Sequence, residues 1–173
     1  MIPVIAFSAW SGTGKTTIIE KLVPELKARG LRVAVIKHDA HTFEIDREGK
    51  DSWRFAKAGA DVTVISSADK TALIEQRKLE FSDVVSRIRD VDLILAEGYN
   101  QQGLPTIGIS RKATGKGLRL PVTACIAVIT DDEKNLLRSA DAGAQPAIPV
   151  FGLTEISAIA GFIMEYYQLQ QKG

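Results

Sequence analysis

Ala9-Trp10-Ser11-Gly12-Thr13-Gly14-Lys15-Thr16, with Thr17 behind it, is the stretch that decides the fold. The apolar run Ile2 to Phe7 precedes it, and an amphipathic stretch, Ile18 to Arg29, follows. Buried strand, glycine-bearing loop, then helix is the order that a phosphate-binding P-loop requires. Gly12 and Gly14 let the backbone curl so that N–H groups from Ser11 to Thr17 point at phosphate oxygens. A helix beginning near Lys15 adds its unpaired N–H groups and the positive end of its dipole. Lys15 reaches β- and γ-phosphates as a catalytic cation, and the Thr16 hydroxyl is a ligand for Mg²⁺. Ala9 stands where such loops usually begin with glycine, so its backbone still has to make the turn.

Outward from this loop the chain alternates strands and helices. Val4 to Phe7 has the continuous apolar character of a parallel strand covered on both faces. Ile18, Ile19, Leu22, Val23 and Leu26 recur near helical spacing up to Gly30, with Pro24 predicting a kink or an irregular last turn. Leu31 to Ile36 reads as a strand, Lys50 to Ala58 as a short helix, and Val62 to Ile65 as a strand that Thr71 to Gln76 can join as an antiparallel edge. Ser82 is placed to cap a helix through Val84, Val85 and Ile88. Asp92 to Gly98, Thr106 to Ser110, Thr123 to Ile129 and Ala147 to Phe151 read as further strands, and the final helix opens at Thr154. The expected fold is α/β: a P-loop NTPase-type, doubly wound, mostly parallel sheet with helices on both faces and a possible antiparallel edge. Ligands then gather at the carboxyl ends of the strands.

Composition narrows the class. A chain of 173 residues fits one domain over 1–173, and 45% apolar with 25% charged residues is ordinary for a globular protein. Lys and Arg number 22 against 21 acids, so charge does not suggest a nucleic-acid partner. Cys125, the one cysteine, excludes an intramolecular disulfide and sits in the apolar run Val122 to Ile129 as a core residue. No apolar run has the length of a membrane span, and a charged-then-apolar leader pattern is absent, which gives a cytoplasmic expectation.

Two further stretches carry chemistry. Glu97 ends an apolar strand on the P-loop side, where P-loop proteins hold Mg²⁺ with an acid. Asp92 is the wrong acid for that task, because five residues at ~3.3 Å each put it ~16 Å away, at the other end of the strand. Lys37 to Ser52 leaves a strand's carboxyl end with more polar groups than a connector needs. Lys37, His38, His41, Lys50 and Asp51 are candidate phosphate or substrate contacts, with Asp39 or Asp46 near Mg²⁺; no cysteine or second histidine pair completes a zinc site. Asp51-Ser52 also suits the start of a helix.

The P-loop, the segment Lys37-His38-x-x-His41…Asp46…Gly49-Lys50-Asp51-Ser52, and Asp92-Leu93-Ile94-Leu95-x-Glu97-Gly98 together resemble the MobB family, the adaptor proteins of molybdopterin-guanine dinucleotide biosynthesis. The resemblance extends over nearly the whole chain, and the Lys37 to Ser52 segment makes it specific. It implies GTP and Mg²⁺ binding, weak GTPase activity and a homodimer. It also implies cooperation with the nucleotidyltransferase MobA, which joins GMP to molybdopterin. Carried onto these residues, the loop through Thr17 holds the nucleotide, Glu97 is the acid near Mg²⁺, and His38 to Ser52 faces the phosphates or the pterin. One departure stands out: members often carry Lys-Ile-Glu-Val-x-Arg after the Glu-Gly strand, whereas this chain has Thr106-Ile107-Gly108-Ile109-Ser110-Arg111, which keeps Arg111 but has Gly108 in place of the acid.

Three points stay open in the sequence. Asp131, after the strand Ile126 to Ile129, is either an acceptor for guanine N–H groups or the cap of a following helix. Arg111 to Arg119, with four cations and no acid, is either a solvated loop or an anion clamp. Trp10 either stacks on a ligand or packs against a partner subunit. The alternative function is a small-molecule kinase using ATP and Mg²⁺, with Arg111 to Arg119 as lid and Asp39 as base; a partner protein without nucleotide binding is a third, against which Lys15-Thr16 argues.

Overall fold

The computed structural model describes residues 2–38, 43–99, 103–133 and 148–171. The chain forms two compact units, one from Met1–His38 with Asp90–Gly173, the other from Asp39–Arg89.

In the first unit six strands form one parallel sheet. They are β1 (Val4–Ser8), β2 (Val33–Lys37), β5 (Leu93–Glu97), β6 (Thr106–Ile109), β7 (Ala127–Ile129) and β8 (Val150–Phe151), in the order β2-β5-β1-β6-β7-β8. β5 is buried along its whole length, as expected of an apolar strand with a neighbour on each side. Alternate residues of the sheet (Ile5, Phe7, Leu93, Leu95, Ile107, Ile109, Ala127, Ile129) face a core completed by two helices. α1 (Lys15–Ala28) supplies Ile18, Ile19, Leu22 and Leu26, and the final helix (Ile156–Gln171) supplies Ile159, Ala160 and Ile163. The two helices are also tied by Arg29, whose guanidinium donates to the Ser157 carbonyl at 2.8 Å and to Glu25 at 3.1 Å. Cys125 and Val128 form a second cluster with Leu118, Leu120, Val122, Ile148 and Val150.

Pro24 does not break α1. Its missing N–H would have bonded the carbonyl of Glu20, and both residues are exposed, so water can take that acceptor. At the opposite end of the sheet from the P-loop, Arg32 and Asp92 are locked together. The Asp92 carboxylate accepts the Arg32 backbone N–H at 2.8 Å and its guanidinium at 3.0 and 3.2 Å, while Asp92 N–H donates to the Arg32 carbonyl at 2.8 Å. The Arg32 guanidinium holds the Asp92 carboxyl below its ordinary range.

The second unit is built on an antiparallel ribbon. β3 (Val62–Ser66) pairs with β4 (Thr71–Glu75) in the register Thr63↔Ile74, Val64↔Leu73. The expected pairing is therefore present, but as a separate two-stranded sheet rather than as an edge of the large one. Burial fits this: Thr63 alone of β3 is buried, and Val62, Val64 and Ile65 are exposed, unlike a strand inside the large sheet. α2 (Asp51–Lys57) packs against β3, and α3 (Phe81–Ser86) follows. Glu75, nearly buried, is paired with Arg77 at 2.7 Å and with Arg87.

Several expected boundaries shift: the strand read as Leu31 to Ile36 is Val33–Lys37, the one read as Ala147 to Phe151 is Val150–Phe151, and the last helix begins at Ile156 rather than Thr154. Ser82 lies inside α3, whose cap is Glu80 without a side-chain bond. The strand expected from Thr123 begins only at Ala127, because Val122–Ala124 forms a turn of 3-10 helix closed by Cys125 N–H donating to the Val122 carbonyl at 2.9 Å. Among the described residues no helix is long and apolar enough to cross a membrane.

Candidate functional site

The site of the first unit is assembled at the carboxyl end of β1. Ala9, 2% exposed, packs its methyl into the core, so alanine serves at the head of this loop. Thr13 closes the turn by donating from its hydroxyl to the Trp10 carbonyl at 2.7 Å. Gly12 and Gly14 have φ of +79° and +96°, the left-handed conformation that the notional curl of the loop demands. Gly14 is the N-cap of α1, so the free N–H groups of the first turn emerge here. Lys15 Nζ lies 3.4 Å from the Ala9 carbonyl oxygen and so curves back over its own loop.

Glu97 is brought to the same place by sheet register. Its Cα partners are Phe7 in β1 and Lys37 in β2, so the end of β5 lies between the strand that feeds the P-loop and the strand that leads to His38. The Thr16 hydroxyl donates to Glu97 Oε1 at 2.9 Å and Oε2 at 3.2 Å. Glu97 is 8% exposed. One hydroxyl and one carboxylate are hard oxygen donors, and a short protein donor set completed by phosphate and water is what Mg²⁺ prefers. Among the described residues no cluster of three His, Cys, Asp or Glu suits a metal ion by itself.

Just beyond, His38 N–H donates to the Glu97 carbonyl at 2.9 Å, and the His38 ring lies 5.1 Å from that of Tyr99. Burial pushes the Tyr99 hydroxyl above its ordinary pKa. Gly98 between them has φ +79°, and a Cβ there would stand 2.8 Å from the His38 carbonyl oxygen, so only glycine lets these two chain segments approach.

On the other flank the segment after β6 leans over the P-loop. The Arg111 guanidinium lies 3.8–3.9 Å from the point where a side chain on Gly14 would begin. Lys116 and Arg119 come over the half-exposed Trp10 ring, 5.6 and 5.8 Å from its centroid. Arg111 and Lys116 are joined by a backbone bridge, and Asp131 Oδ1 accepts the Lys112 N–H at 2.6 Å. Trp10 thus meets the basic segment of its own chain, rather than only the ligand or partner subunit expected of it, in a contact that no periodicity or motif signals.

The first unit thus brings together Ser11 to Thr17, Lys37, His38, Glu97, Arg111 and Asp131. Asp46, Lys50 and Asp51 belong to the second unit. There Asp46 Oδ1 accepts the Arg47 N–H at 2.8 Å and the Ser52 hydroxyl at 3.0 Å, whereas Oδ2 is buried without a hydrogen-bond partner among the described residues. Lys50 caps α2 by its backbone, and exposed Asp51 pairs with Arg54 at 3.6 Å. Asp39 and His41 lie outside the described residues.

A family profile described as "MobB: Molybdopterin guanine dinucleotide synthesis protein B" matches residues 4–131. The chain belongs to the MobB family. Within the family, the molybdopterin-guanine dinucleotide biosynthesis adapter protein of Escherichia coli (strain K12) is 35% identical over 178 residues, covering 98% of this chain and 96% of that protein. The adapter protein of the same name from Haemophilus influenzae is 40% identical over 121 residues, 68% of each chain. The crystal structure of Bacillus subtilis MobB has a TM-score of 0.73 to this chain at 24% identity, covering 95% of this chain and 97% of that one, a likeness of fold. The mostly parallel, P-loop NTPase-type sheet expected from the sequence is therefore the MobB fold.

Proposed function

We propose that this MobB-family chain is a GTP- and Mg²⁺-binding adaptor with weak GTPase activity. It assists a MobA-type nucleotidyltransferase in attaching GMP to molybdopterin during molybdenum cofactor biosynthesis, with residues 1–173 working as one nucleotide-binding domain. The Thr16–Glu97 contact carries this reading, since it joins the P-loop hydroxyl to the buried acid of the neighbouring strand. Thr16 and Glu97 would hold Mg²⁺, which when bound neutralises phosphate charge. Backbone N–H groups of Ser11 to Thr17, Lys15 and Arg111 take the phosphates. Lys37 and His38 serve the phosphates or the pterin, and in the second unit Asp46, Lys50 and Asp51 are the residues that the family resemblance assigns to substrate. Hydrolysis adds water to the γ-phosphorus as the bond to the β–γ bridging oxygen breaks, leaving GDP and phosphate. The names of the relatives support the pathway, and the family resemblance supports guanine and a homodimer. A second copy would cover the outer face of the ribbon, where Val62, Val64 and Leu73 are 48%, 58% and 56% exposed.

The test is isothermal titration of GTP, ATP and GDP with Mg²⁺ on the wild type and Lys15→Ala. GTP binding well above ATP, lost in the variant, is the expected result. Preference for ATP with phosphoryl transfer to a metabolite would replace the adaptor by a small-molecule kinase. Absence of nucleotide binding would overturn the reading.

A further inference from the structure

Arg111 follows directly on a rigid strand end. Ser110 is 7% exposed; its N–H donates to the Ile129 carbonyl at 3.0 Å, and its hydroxyl to the Thr130 hydroxyl at 2.9 Å. The backbone ladder between β6 and β7 has its last pair at Ile109↔Ile129. One residue further, the Asp131 carboxylate takes over, accepting the Lys112 N–H at 2.6 Å. Arg111 is thereby bracketed by anchors at both of its chain neighbours, and both anchors belong to the same adjacent segment, 129–131. Asp131 is itself steadied, because the N–H of Asp132 donates to the Thr130 hydroxyl at 3.0 Å.

Among the described residues the other hydrogen bonds of residues 111–116 are internal to them, while further along Lys116 and Arg119 rest over Trp10 and Leu118 packs with Cys125 and Val128. The Thr114 hydroxyl donates to the Arg111 carbonyl at 2.7 Å, and the Arg111–Lys116 bridge closes the loop on itself. They shape residues 111–116 without attaching them to the sheet. The segment Arg111 to Arg119 has four cations and no acid of its own, so its like charges oppose a tight seat beside the P-loop. Among the described residues no carboxylate forms an ion pair with Arg111, which leaves its five-donor fork directed at the space over Gly14. A charge-assisted hydrogen bond from the carboxylate is the stronger kind, suited to hold such a segment.

We propose that Asp131 is the positioning residue for Arg111: by pinning the Lys112 amide it holds the Arg111 guanidinium over the P-loop, where it contacts the terminal phosphates of the bound nucleotide. The inference rests on the phosphate-binding reading of the loop. It gives Asp131 work toward the phosphates, and this differs measurably from accepting hydrogen bonds from guanine.

The experiment uses the whole chain and a base-free probe, inorganic tripolyphosphate with Mg²⁺, beside GTP. Titration calorimetry is run on the wild type, Arg111→Ala, Asp131→Ala, Asp131→Asn and the double variant Arg111→Ala/Asp131→Ala, with a thermal melt of each to confirm folding. Arg111→Ala should weaken tripolyphosphate about tenfold or more. Asp131→Ala should weaken it by a similar factor, the double variant should be no worse than Arg111→Ala, and Asp131→Asn, which keeps an acceptor oxygen, should recover most of the loss. A guanine acceptor would behave differently: Asp131→Ala would leave tripolyphosphate unchanged while weakening GTP, and its effect would add to that of Arg111→Ala. Either result overturns the proposal. Should Asp131→Ala melt early, Asp131→Leu, which fills the same space without an acceptor oxygen, supplies the same cycle with Arg111→Ala. Failure of the wild type to bind either probe would instead refute the phosphate-binding reading on which the proposal rests.

Discussion

The Thr16 hydroxyl donates to both carboxylate oxygens of Glu97, at 2.9 and 3.2 Å, across 81 positions of sequence. The contact exists because β5 pairs with β1 and stops level with the loop that β1 feeds. A buried carboxylate beside a hydroxyl is a strong hydrogen-bond acceptor and a hard donor for Mg²⁺.

Glu97→Gln keeps the shape and an acceptor but removes the charge. We expect the gain in GTP affinity on adding Mg²⁺ to fall by about tenfold or more, with affinity in EDTA almost unchanged. Titrations of GTP with and without Mg²⁺ check this. A variant that keeps the full metal dependence would remove Glu97 from the metal's surroundings.

Asp92, at the far end of the same strand, makes a different prediction. Its folded carboxyl is held below the ordinary value of 3.8 by hydrogen bonds from the Arg32 side chain and backbone. The unfolded chain binds the proton more readily, so the charged group stabilises the fold at neutral pH. That contribution is lost as pH falls below 3.8 toward the lowered folded value. Asp92→Asn should therefore be less stable than the wild type at pH 7, with the two urea midpoints converging in acid. A difference that grows on acidification would refute the assignment. Nucleotide affinity at pH 7 should not change.

The P-loop and Glu97 were legible in the sequence because each lies at a strand-to-loop boundary, where apolar runs and glycines fix both position and direction. Asp92 lies beside Arg32 at the far end of the same strand, where strand length alone places it. Val62 to Ile65 was legible as a strand but not as part of a separate ribbon, since pairing depends on which neighbour is near rather than on the strand's own pattern. The start of the strand at Thr123 was misread because Val122 to Ala124 is apolar enough for a strand yet closes a turn through its backbone. The seat of Arg111 was not legible either. The Asp131–Lys112 bond spans 19 residues, joins a side chain to a backbone amide, and leaves no trace in spacing.

Gly108 shows why this chain departs from the acid common at that place in the resembling pattern. A Cβ on Gly108 would stand 2.9 Å from Cys125 Sγ and 3.1 Å from Leu118 Cδ2. Gly108→Ala should cost about 1–3 kcal/mol through overpacking. Cys125→Ala opens the space, so the double variant should lose less than the sum of the two single ones. Urea unfolding of the four proteins measures the coupling; strict additivity would place the strain elsewhere. Cys125 is buried, with its thiol pushed up by desolvation, so it should react with iodoacetamide slowly in the folded wild type.

The last prediction concerns the ribbon. Val64 and Leu73 are direct cross-strand partners on its outer face and are both more than half exposed. A ribbon of two strands is marginal by itself, and an apolar outer face adds a reason for a second copy to cover it. Burying an aliphatic side chain of this size is worth about 1.5–3 kcal/mol, and two such residues from each protomer would supply much of a dimer's core. Val64→Lys with Leu73→Lys places unpaired cations there, and burying them is costly. Light scattering after size exclusion should find a dimer for the wild type and a monomer for the double variant, with GTP affinity retained. A wild type that stays monomeric at high concentration would refute the homodimer. A dimer that survives both lysines would move the interface away from this face.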